Sequence, residues 1–377
     1  MFVDIYAIQT IPPSNINRDD TGSPKTAIYG GVRRARVSSQ AWKRAMREGF
    51  RKYLPEESLG VRSKLAAELL SGKIGEKRPD LTEKTPELAQ GILDALGVKV
   101  KKSKRAGEDE GKMETGYLIY ISRGELDILA DIAIGWADAG KDWEKPNNAM
   151  KSQVKSAFHG VTAVDIALFG RMLADVPELN TDACAQVAHA ISVDGVTQEY
   201  DYFTAVDDCV SDDNAGAGMI GTVDFNSSTL YRYATVNVDA LFGQLLEADV
   251  TAKAIAAFVR AFVCTMPTGK QNTFANRTLP ECVLVSLRED QPINAVSAFE
   301  CPVRSREGIS IVEQAEERLA QKVEALQSAY DMPAEAAWYV MVDGDVSALD
   351  KVADRTDMHG LADGVNDAVV LYLSAGE

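Results

Sequence analysis

The sequence has few of the residues that enzymes most often use for catalysis. Only three histidines, His159, His189 and His359, occur among 377 residues, and their spacing matches no metal-binding motif. The chain contains no G-x-x-x-x-G-K-[ST] phosphate loop, no G-x-S-x-G nucleophile elbow and no H-E-x-x-H zinc motif. His189 falls in a predicted strand, where we expect a buried structural histidine rather than a base. We therefore expect no catalytic site, no cofactor and no metal.

Cysteines and long apolar runs are also scarce. The five cysteines are widely spaced and form no C-x-x-C pair, so buried free thiols are expected rather than disulfides or a zinc site. No run of about 18 apolar residues occurs, which predicts no membrane span and no membrane partner. The N-terminal stretch MFVDIYAIQT lacks the basic-then-apolar layout of a signal peptide. We expect a cytoplasmic protein.

Positive charge is scarce overall but concentrated in one segment. The formal net charge is -16, which disfavours indiscriminate binding to nucleic acid. Between Arg33 and Lys52, however, eight basic residues accompany a single acid, Glu48. Because exposed charges are screened beyond about 8–10 Å at physiological salt, a local basic surface can still bind phosphate. This pattern favours one specifically placed polyanion over bulk DNA.

The basic segment predicts an amphipathic helix. Ser38 and Ser39 are suitable N-caps for a helix from Gln40 to about Tyr53. The apolar stripe of this helix comprises Trp42, Met46, Phe50 and Tyr53, and its cationic face carries Lys43, Arg47 and Arg51. The sequence thus predicts a helix that is anchored by aromatic residues and presents positive charge.

The remaining pattern indicates an α+β fold. A first strand is predicted at residues 2–9, and residues 56–160 are interpreted as a mainly helical insertion. Further strands are predicted in VTAVDIALFGRM, AQVAHAISV, TLYRYATVNV, CVLVSL and WYVMV, with helices at about 239–264 and 307–330. A long excursion at about 194–230 is typical of a functional hairpin or loop. A ferredoxin-like sheet with insertions fits this order best.

Several segments together resemble a known family. The runs NRDD, AIYGGVRRARVSSQAWKRAMR, DIALFGRM, DYFTAVDD, YRYATVNV and TGKQNTFA resemble, in this order, the CasC/Cse4 backbone subunits of type I-E CRISPR Cascade complexes. The resemblance is clearest from residue 1 to about residue 300, and weaker at 56–160 and in the last 75 residues. It implies an RRM-like palm at 1–55 and 161–377, a helical finger insertion at 56–160 and a protruding thumb hairpin at 194–230.

The resemblance also implies a non-catalytic function. Copies of the chain would polymerise along one CRISPR RNA, and each thumb would interrupt the base stacking of the guide. The guide would then pair with complementary target DNA in an R-loop during antiviral defence. The implied partners are CRISPR RNA, target DNA, further copies of the chain, and the large, small, handle-capping and CRISPR RNA-processing subunits of Cascade.

Contacts with guide RNA are expected in several segments. A helix N-terminus followed by cationic residues suits phosphate, and such contacts do not depend on RNA sequence. The expected RNA-binding residues are Asn17, Arg18, Arg34, Ser38, Ser39, Gln40, Lys43, Arg44, Arg47, Met172, Tyr202, Phe203, Lys270, Gln271 and Asn272. Possible contacts with target DNA are Lys145, Lys151 and Lys155. Arg33 and Arg36 alternate along the strand that enters the helix and are equally compatible with contact to a neighbouring subunit.

Two of these assignments depend most on the resemblance. It implies that Met172 is a wedge beneath a kinked nucleotide and that Tyr202 and Phe203 contact displaced bases. The family often has Trp where this chain has Tyr202, which still offers an aromatic face. From the residues alone, core positions for Met172 and Phe203 are as compatible with the sequence as these roles.

The acids of the predicted thumb raise a separate question. Asp207, Asp208, Asp212, Asp213 and Asp224 would repel phosphate. Docking of the thumb on the basic segment of a neighbouring subunit is one hypothesis, and it would make assembly sensitive to salt.

An alternative function is metal-dependent cleavage of RNA. Related backbone subunits of type III complexes cut RNA with a loop acid, for which Asp19 or Asp20 would be the candidate here. Turn formation is the commoner role of such acids, and the NRDD motif is shared with type I-E members, which are not nucleases. A generic single-strand binder is disfavoured, because it should be basic overall.

We expect the chain to leave RNA intact in the presence of Mg²⁺, because its acids serve turns rather than catalysis. Incubation of RNA with the wild-type chain and with the Asp19→Ala and Asp20→Ala variants should give identical, uncleaved RNA on a gel. Metal-dependent cleavage that is lost in either variant would instead establish the ribonuclease.

Overall fold

A computed structural model describes residues 1–103, 111–158, 162–205, 219–344 and 348–375. The chain divides into two compact units. The first, here called the sheet unit, comprises Met1–Gly49, Ala185–Asp239 and Thr251–Glu377, and the second, the helical unit, comprises Phe50–Cys184 and Ala240–Val250. Together they confirm the predicted α+β class. The predicted bounds of palm, finger and thumb stay a prediction.

The secondary structure elements follow in chain order. The strands are β1 (Phe2–Ser14), β2 (Thr26–Tyr29), β3 (Val32–Val37), β4 (Gly60–Ser63), β5 (Val100–Lys102), β6 (Met113–Thr115), β7 (Ile119–Ser122), β8 (Ala185–Val187), β9 (Ala190–Ser192), β10 (Glu199–Ala205), β11 (Met219–Asn237), β12 (Cys282–Arg288), β13 (Ala336–Met341) and β14 (Asp354–Arg355). The α-helices are α1 (Ser39–Gly49), α2 (Ala66–Lys77), α3 (Thr85–Leu96), α4 (Arg123–Asp138), α5 (Asn148–Phe158), α6 (Val164–Phe169), α7 (Val238–Leu245), α8 (Ala248–Cys264), α9 (Gln271–Phe274), α10 (Ile311–Tyr330) and α11 (Met358–Ala375).

A large mixed sheet forms the centre of the sheet unit. Its strand order is β14-β13-β12-β1-β11-β9-β3-β2, and β8 and β10 also pair with β11. The central strand β1 is antiparallel to both neighbours, with Ile5 opposite Ala234 of β11 and Val285 of β12. Both faces of β1 are buried, which explains its nearly continuous apolar sequence. The predicted first strand is therefore confirmed and extends further than expected.

Each face of this sheet packs against helices. On one face, Tyr6 and Tyr231 join a core with Leu319 and Val323 of α10. On the other face, the guanidinium carbon of Arg232 lies 3.7 Å from the ring centroid of Trp42 in α1 and 4.3 Å from that of Phe262 in α8. Burial lowers the pKa of Arg232 to about 9. The aromatic rings thus take the place that water holds around an exposed guanidinium.

The helical unit has a core of its own, built mainly from helices. Buried residues of α2, α3, α4 and α5 meet there, among them Leu70, Ile92, Leu129 and Val154. Ser122 begins α4 with a capping box, in which its side chain accepts from the Glu125 N–H and the Glu125 carboxylate accepts from the Ser122 N–H. The prediction that residues 56–160 are mainly helical is confirmed.

The structure corrects several expected element boundaries. The segment VTAVDIALFGRM contains helix α6 rather than a strand, because a short run that is almost wholly buried has no period that separates the two. The segment AQVAHAISV forms two short strands, β8 and β9. The helix predicted to reach Tyr53 ends at Gly49, and a 3-10 turn follows at Phe50–Lys52. The helix predicted at about 239–264 is two helices, α7 and α8, and Leu246 between them has φ 62°.

The structure contradicts the expectation for His189 and confirms the expectation for two of the cysteines. His189 is exposed between β8 and β9, where its Nδ1 lies 3.1 Å from Arg36 Nη1, so the predicted core position is wrong. Cys184 and Cys282 are buried free thiols as expected, but Cys264 is half-buried and Cys301 is exposed. Cys209 and His159 lie outside the described residues. In the parts of the chain that the structure describes, no helix is long and apolar enough to cross a membrane.

One buried acid makes the stability of the sheet unit sensitive to pH. Glu316 of α10 is only 2% exposed. Burial, together with the charges of Glu281, Glu313 and Asp343, raises the pKa of Glu316 to about 7. Because the folded-state pKa exceeds the unfolded one, this group favours folding at low pH, and its contribution is lost as the pH rises through 7.

The Glu316→Gln variant should therefore gain stability relative to the wild-type chain as the pH rises from 5 to 8, by on the order of 1–3 kcal/mol. Urea unfolding at pH 5, 6, 7 and 8 measures this difference. Glu317→Gln, one residue further along α10, is the matched control and should show no such trend. A stability difference between Glu316→Gln and wild type that stays constant across this pH range would contradict the prediction.

Candidate nucleic-acid interface

The start of α1 is fixed by hydrogen bonds to the preceding loop. The Ser38 N–H donates to Asn17 Oδ1 at 2.9 Å, and Ser38 Oγ accepts from the Ala41 N–H at 3.4 Å. Asn17 thus connects the loop that precedes β2 to the first turn of the helix. Ser39 is half-buried and Gln40 is exposed. Because the first N–H groups of a helix have no acceptor within it, this end is suited to an anion.

Three predicted cationic residues follow on α1. Trp42 and Met46 are buried in α1, and Phe50 is buried in the 3-10 turn that follows, which confirms most of the predicted apolar stripe, whereas Tyr53 is half-buried. Lys43 is half-buried, and burial lowers its pKa. Arg44 is exposed and its Nε donates to Glu48 Oε1 at 3.0 Å, whereas Arg47 is half-buried. The helix therefore presents positive charge one turn after its N-terminus.

Arg34 has an internal position, unlike the cations of α1. Its guanidinium is buried, and the two Nη groups donate to the carbonyls of Ser192, Val193, Phe299 and Glu300 at 2.7–3.2 Å. These four acceptors hold Arg34 between β3, β9 and the segment before α10. The structure thus corrects the expected role of Arg34 to a structural one, because its donors face the interior and are already paired.

A cleft lies beside the start of α1. It has a volume of about 530 Å³ and is lined by Ile16–Gly22 and Gly269. Arg18 is exposed at this cleft. Asp19 Oδ1 accepts hydrogen bonds from the Thr21 N–H and hydroxyl and from the Ser23 N–H, and these bonds, the Thr21 hydroxyl above all, lower its pKa. The expected turn-forming role of Asp19 is confirmed.

The loop of the cleft touches the predicted TGKQNTF segment. A Cβ added at Gly269 would lie only 2.4 Å from the Ile16 carbonyl oxygen, so the two backbones meet where only glycine fits. Lys270 follows with φ 51° and leads into the short helix α9. Lys270 and Gln271 are half-buried and Asn272 is exposed. These donors consequently start beside the loop that carries Asn17 and Arg18.

A two-stranded ribbon extends from the sheet. Every residue of β10 is exposed, and β10 pairs with residues 219–225 of β11. Because successive side chains of a strand point to opposite faces, Tyr202 and Phe203 lie on different faces of the ribbon. Tyr202 is 64% exposed; Phe203, 37% exposed, covers Gly221. The alternative of a core position for Phe203 is therefore wrong, and no single surface of the ribbon presents both rings.

The ribbon is tied to its surroundings at its base. The Phe225 ring lies 5.8 Å from that of Phe274 in α9. The Asp224 carboxylate accepts from Gln198 Nε2 at 2.6 Å and from the Ser23 hydroxyl. Asp224 thus serves as a hydrogen-bond acceptor that ties the base of the ribbon to Gln198 and Ser23. The other acids expected in the thumb, Asp207, Asp208, Asp212 and Asp213, lie outside the described residues.

The remaining predicted residues belong to the helical unit. Met172 is 79% exposed, so the alternative of a core position is wrong for it as well. Lys145 and Lys151 are exposed, and Lys155 forms an ion pair with Glu178 at 2.7 Å. Among the residues that the structure describes, no group of three or more His, Cys, Asp or Glu side chains could hold a metal ion.

Two residues of the site were missed from the sequence. Buried Asn15 donates from Nδ2 to the carbonyls of Gly22 and Asp224, each at 2.9 Å, and thereby joins the cleft loop to the ribbon. Gly269 allows the close approach described above. The turn-forming run PPSNINRDDTG and the glycine before Lys270 were the available signals, but neither indicates which distant backbone the residue meets.

Comparisons with known proteins agree with this architecture. A family model described as CT1975-like protein matches residues 3–364. No curated protein matches the chain. A chain of a structure described as "CRISPR RNA-guided surveillance complex, pre-nicking" is similar with a TM-score of 0.81 and 35% identity, covering 98% of this chain and 100% of that one. A chain of another, described as "CRISPR RNA-guided surveillance complex", has a TM-score of 0.62 and 30% identity over 98% and 99%.

Replacement of Gly269 should disturb the cleft. Gly269→Ala places a Cβ against the Ile16 carbonyl, and we expect a loss of about 1–3 kcal/mol in the free energy of unfolding. Gly72→Ala is the control: Gly72 is an exposed position of α2 with no atom within 4 Å of the added Cβ, and it should gain about 0.5–1 kcal/mol. Denaturant unfolding measures both changes. Equal effects of the two substitutions would contradict the close approach.

Proposed function

This chain belongs to the CT1975-like protein family, and from that membership we propose that it is a non-catalytic, guide-binding backbone subunit of a type I-E CRISPR Cascade complex. The similar chains at 35% and 30% identity come from CRISPR RNA-guided surveillance complexes and match this chain over nearly its whole length. A Cascade-type component is therefore the general assignment. The proposal adds three more specific points to this assignment: the backbone role, the type I-E class and the contacts described below.

The observation that carries the proposal is the construction of the start of α1. A helix end suited to an anion, set by Asn17 and Ser38, precedes the cations Lys43, Arg44 and Arg47 in a chain of net charge -16. Such donors contact phosphate and ribose without reading bases. A protein that carries guides of arbitrary sequence needs contacts of this kind. The half-buried position of Lys43 strengthens its attraction to a phosphate, because the local dielectric is lower there.

The strand order supports an RRM-like palm as part of the proposal. When the elements between them are left out, β1, α1, β9, β11, α8 and β12 have the chain order strand, helix, two strands, helix, strand. In the sheet these strands are arranged as β12-β1-β11-β9, which places the first and third strands at the centre. This arrangement supports a ferredoxin-like palm.

Exposed apolar side chains support the presentation of the guide in short segments. Met172, Tyr202 and Phe203 are all exposed although they are apolar or aromatic. An inserted apolar side chain unstacks a base step at a cost of a few kcal/mol, and stacking on an aromatic ring returns about 1–3 kcal/mol per base. We assign Met172 to the first role and Tyr202 and Phe203 to contacts with displaced bases. Copies of the chain along one CRISPR RNA would repeat these contacts at regular intervals.

The remaining parts concern target DNA and catalysis. Lys145 and Lys151 are exposed and suited to the phosphates of target DNA in an R-loop, whereas the ion pair with Glu178 weakens the case for Lys155. The engagement of the Asp19 carboxylate in three loop hydrogen bonds supports binding rather than metal-dependent hydrolysis. The further copies and the other Cascade subunits complete the proposed partners, and the cytoplasm is the proposed location.

Co-expression with a CRISPR array and the other complex subunits tests the proposal. Sequencing of the RNA that co-purifies with this chain should recover uniform CRISPR RNAs. Random RNA, or none, would contradict the guide-binding role.

A double substitution on α1 should weaken this retention. Lys43→Ala with Arg47→Ala removes two phosphate contacts, so the slope of log K against log salt concentration for guide binding should become shallower by about 1.4. Lys73→Ala with Lys77→Ala is a control with the same spacing on α2, where both lysines pair with acids. Filter binding across a salt series measures both slopes. An unchanged slope in the α1 variant would remove Lys43 and Arg47 from the interface.

A further inference from the structure

Met172 is an exposed residue between two firmly anchored ones. Its neighbours Arg171 and Leu173 are buried, whereas Met172 itself is 79% exposed. Methionine has three rotatable side-chain bonds and adapts to its surroundings. Only the backbone on both sides of Met172 can therefore define the direction in which its side chain leaves the protein surface.

Arg171 is held by hydrogen bonds, an ion pair and a ring contact. Its Nη1 donates to both carboxylate oxygens of Glu125, at 2.7 and 2.9 Å, and to the Tyr120 carbonyl at 3.2 Å. Its Nε donates to the Leu179 carbonyl at 3.3 Å. The guanidinium carbon also lies 4.2 Å from the ring centroid of Phe158. These contacts fix the side chain that directly precedes Met172.

The backbone around Met172 is fixed as well. Arg171 and Thr181 exchange two backbone hydrogen bonds, each 2.9 Å long. The Leu173 N–H donates to Asn180 Oδ1 at 2.7 Å. Gly170, with φ 78°, ends α6 and turns the chain into this segment. Consequently, Met172 projects from a short stretch of backbone that is bonded on both sides.

Glu125 is anchored in turn by the N-terminus of α4. Its carboxylate accepts from the Ser122 N–H at 2.7 Å, and its own N–H donates to Ser122 Oγ at 2.8 Å. Burial raises the pKa of Glu125, while the charge of Arg171 opposes this effect. A single carboxylate thus connects the helix cap to the segment that carries Met172.

A buried ion pair such as Arg171–Glu125 is not explained by its contribution to folding stability alone. Replacement of a buried ion pair by apolar residues of similar volume is often neutral or stabilising, because the charges must first be removed from water. What the pair supplies is a fixed place for residue 171, because Nη1 contacts both oxygens of a carboxylate that is itself held at the cap of α4. A backbone segment that is held in place beforehand loses less freedom when its exposed side chain engages a ligand.

We propose that Arg171 and Glu125 are positioning residues that hold Met172 ready to insert between stacked bases of the bound RNA. The inference rests on the proposed function, because the insertion of Met172 belongs to that function. Arg171 and Glu125 are both buried, so their role would be exerted through Met172 rather than by contact with the RNA. They fix the direction from which Met172 enters, and so they determine how completely one base step is opened.

Base stacking in the assembled complex provides the test. Complexes are assembled with wild-type chain and with Met172→Ala, Glu125→Gln and Arg171→Lys variants, on CRISPR RNAs that carry 2-aminopurine at successive guide positions. Fluorescence per bound RNA reports an unstacked base. Where Met172→Ala reduces the wild-type signal, Glu125→Gln and Arg171→Lys should reduce it towards the same level, while the amount of RNA retained stays unchanged. In Glu125→Gln, the further substitution Met172→Ala should add little.

A buried pair in the sheet unit supplies the control. Asp4 Oδ2 lies 3.2 Å from Arg288 Nε, and both residues are buried. Asp4→Asn should lower thermal stability without changing the fluorescence pattern, which separates positioning from a general loss of stability. Should Glu125→Gln fail to fold, Asn180→Ala removes only the hydrogen bond to Leu173 and should lower the signal in the same positions.

The possible failures are distinguishable. A signal reduced by Met172→Ala but unchanged in Arg171→Lys and Asn180→Ala would overturn the positioning role and leave the proposed function intact. A signal unchanged by Met172→Ala would overturn the insertion itself, and the positioning role with it. Complexes that retain no CRISPR RNA would overturn the proposed function.

Discussion

The buried guanidinium of Arg232 connects the central sheet to the helix that carries the cationic surface. It projects from β11, lies between the rings of Trp42 and Phe262, and donates to Gln9 of β1 and to the Phe262 carbonyl. The position of α1 relative to the sheet follows from this contact. Because Trp42 is one residue before Lys43, the same contact also determines where Lys43 and its neighbours are presented. Burial lowers the pKa of Arg232 only to about 9, so the guanidinium remains charged at neutral pH and keeps its attraction to the aromatic faces.

Charged residues have different roles at different places in this chain. Asp19 and Asp224 accept hydrogen bonds that shape the cleft loop and the base of the ribbon, and Arg34 donates hydrogen bonds to carbonyls in the interior. The cations of α1, by contrast, follow a helix end that is suited to phosphate. A strongly acidic chain can therefore still carry a local surface of positive charge.

The sequence predicted those parts of the fold in which local pattern and tertiary environment agree. The strand β1, the helix α1 with its buried Trp42 and Met46, and the helical character of 56–160 were predictable because their periods or apolar content are distinctive. The segment that forms α6 was assigned to a strand, since its residues are buried on all sides and show no period. His189 was expected in the core, because a pattern of strands does not reveal that two short strands separate and leave the residue between them exposed.

The same distinction between local pattern and tertiary environment applies to the candidate site. The sequence by itself determined the cationic helix, its caps and the resemblance to guide-binding subunits, because these depend on residues that are adjacent along the chain. Only the tertiary structure decided that Arg34 faces four carbonyls and that Tyr202 and Phe203 occupy opposite faces of a ribbon. It alone decided that Met172 is exposed between two buried neighbours, of which Arg171 is held by Glu125, 46 positions earlier in the chain. Burial and pairing arise from contacts between distant segments, and no local pattern specifies which segments meet.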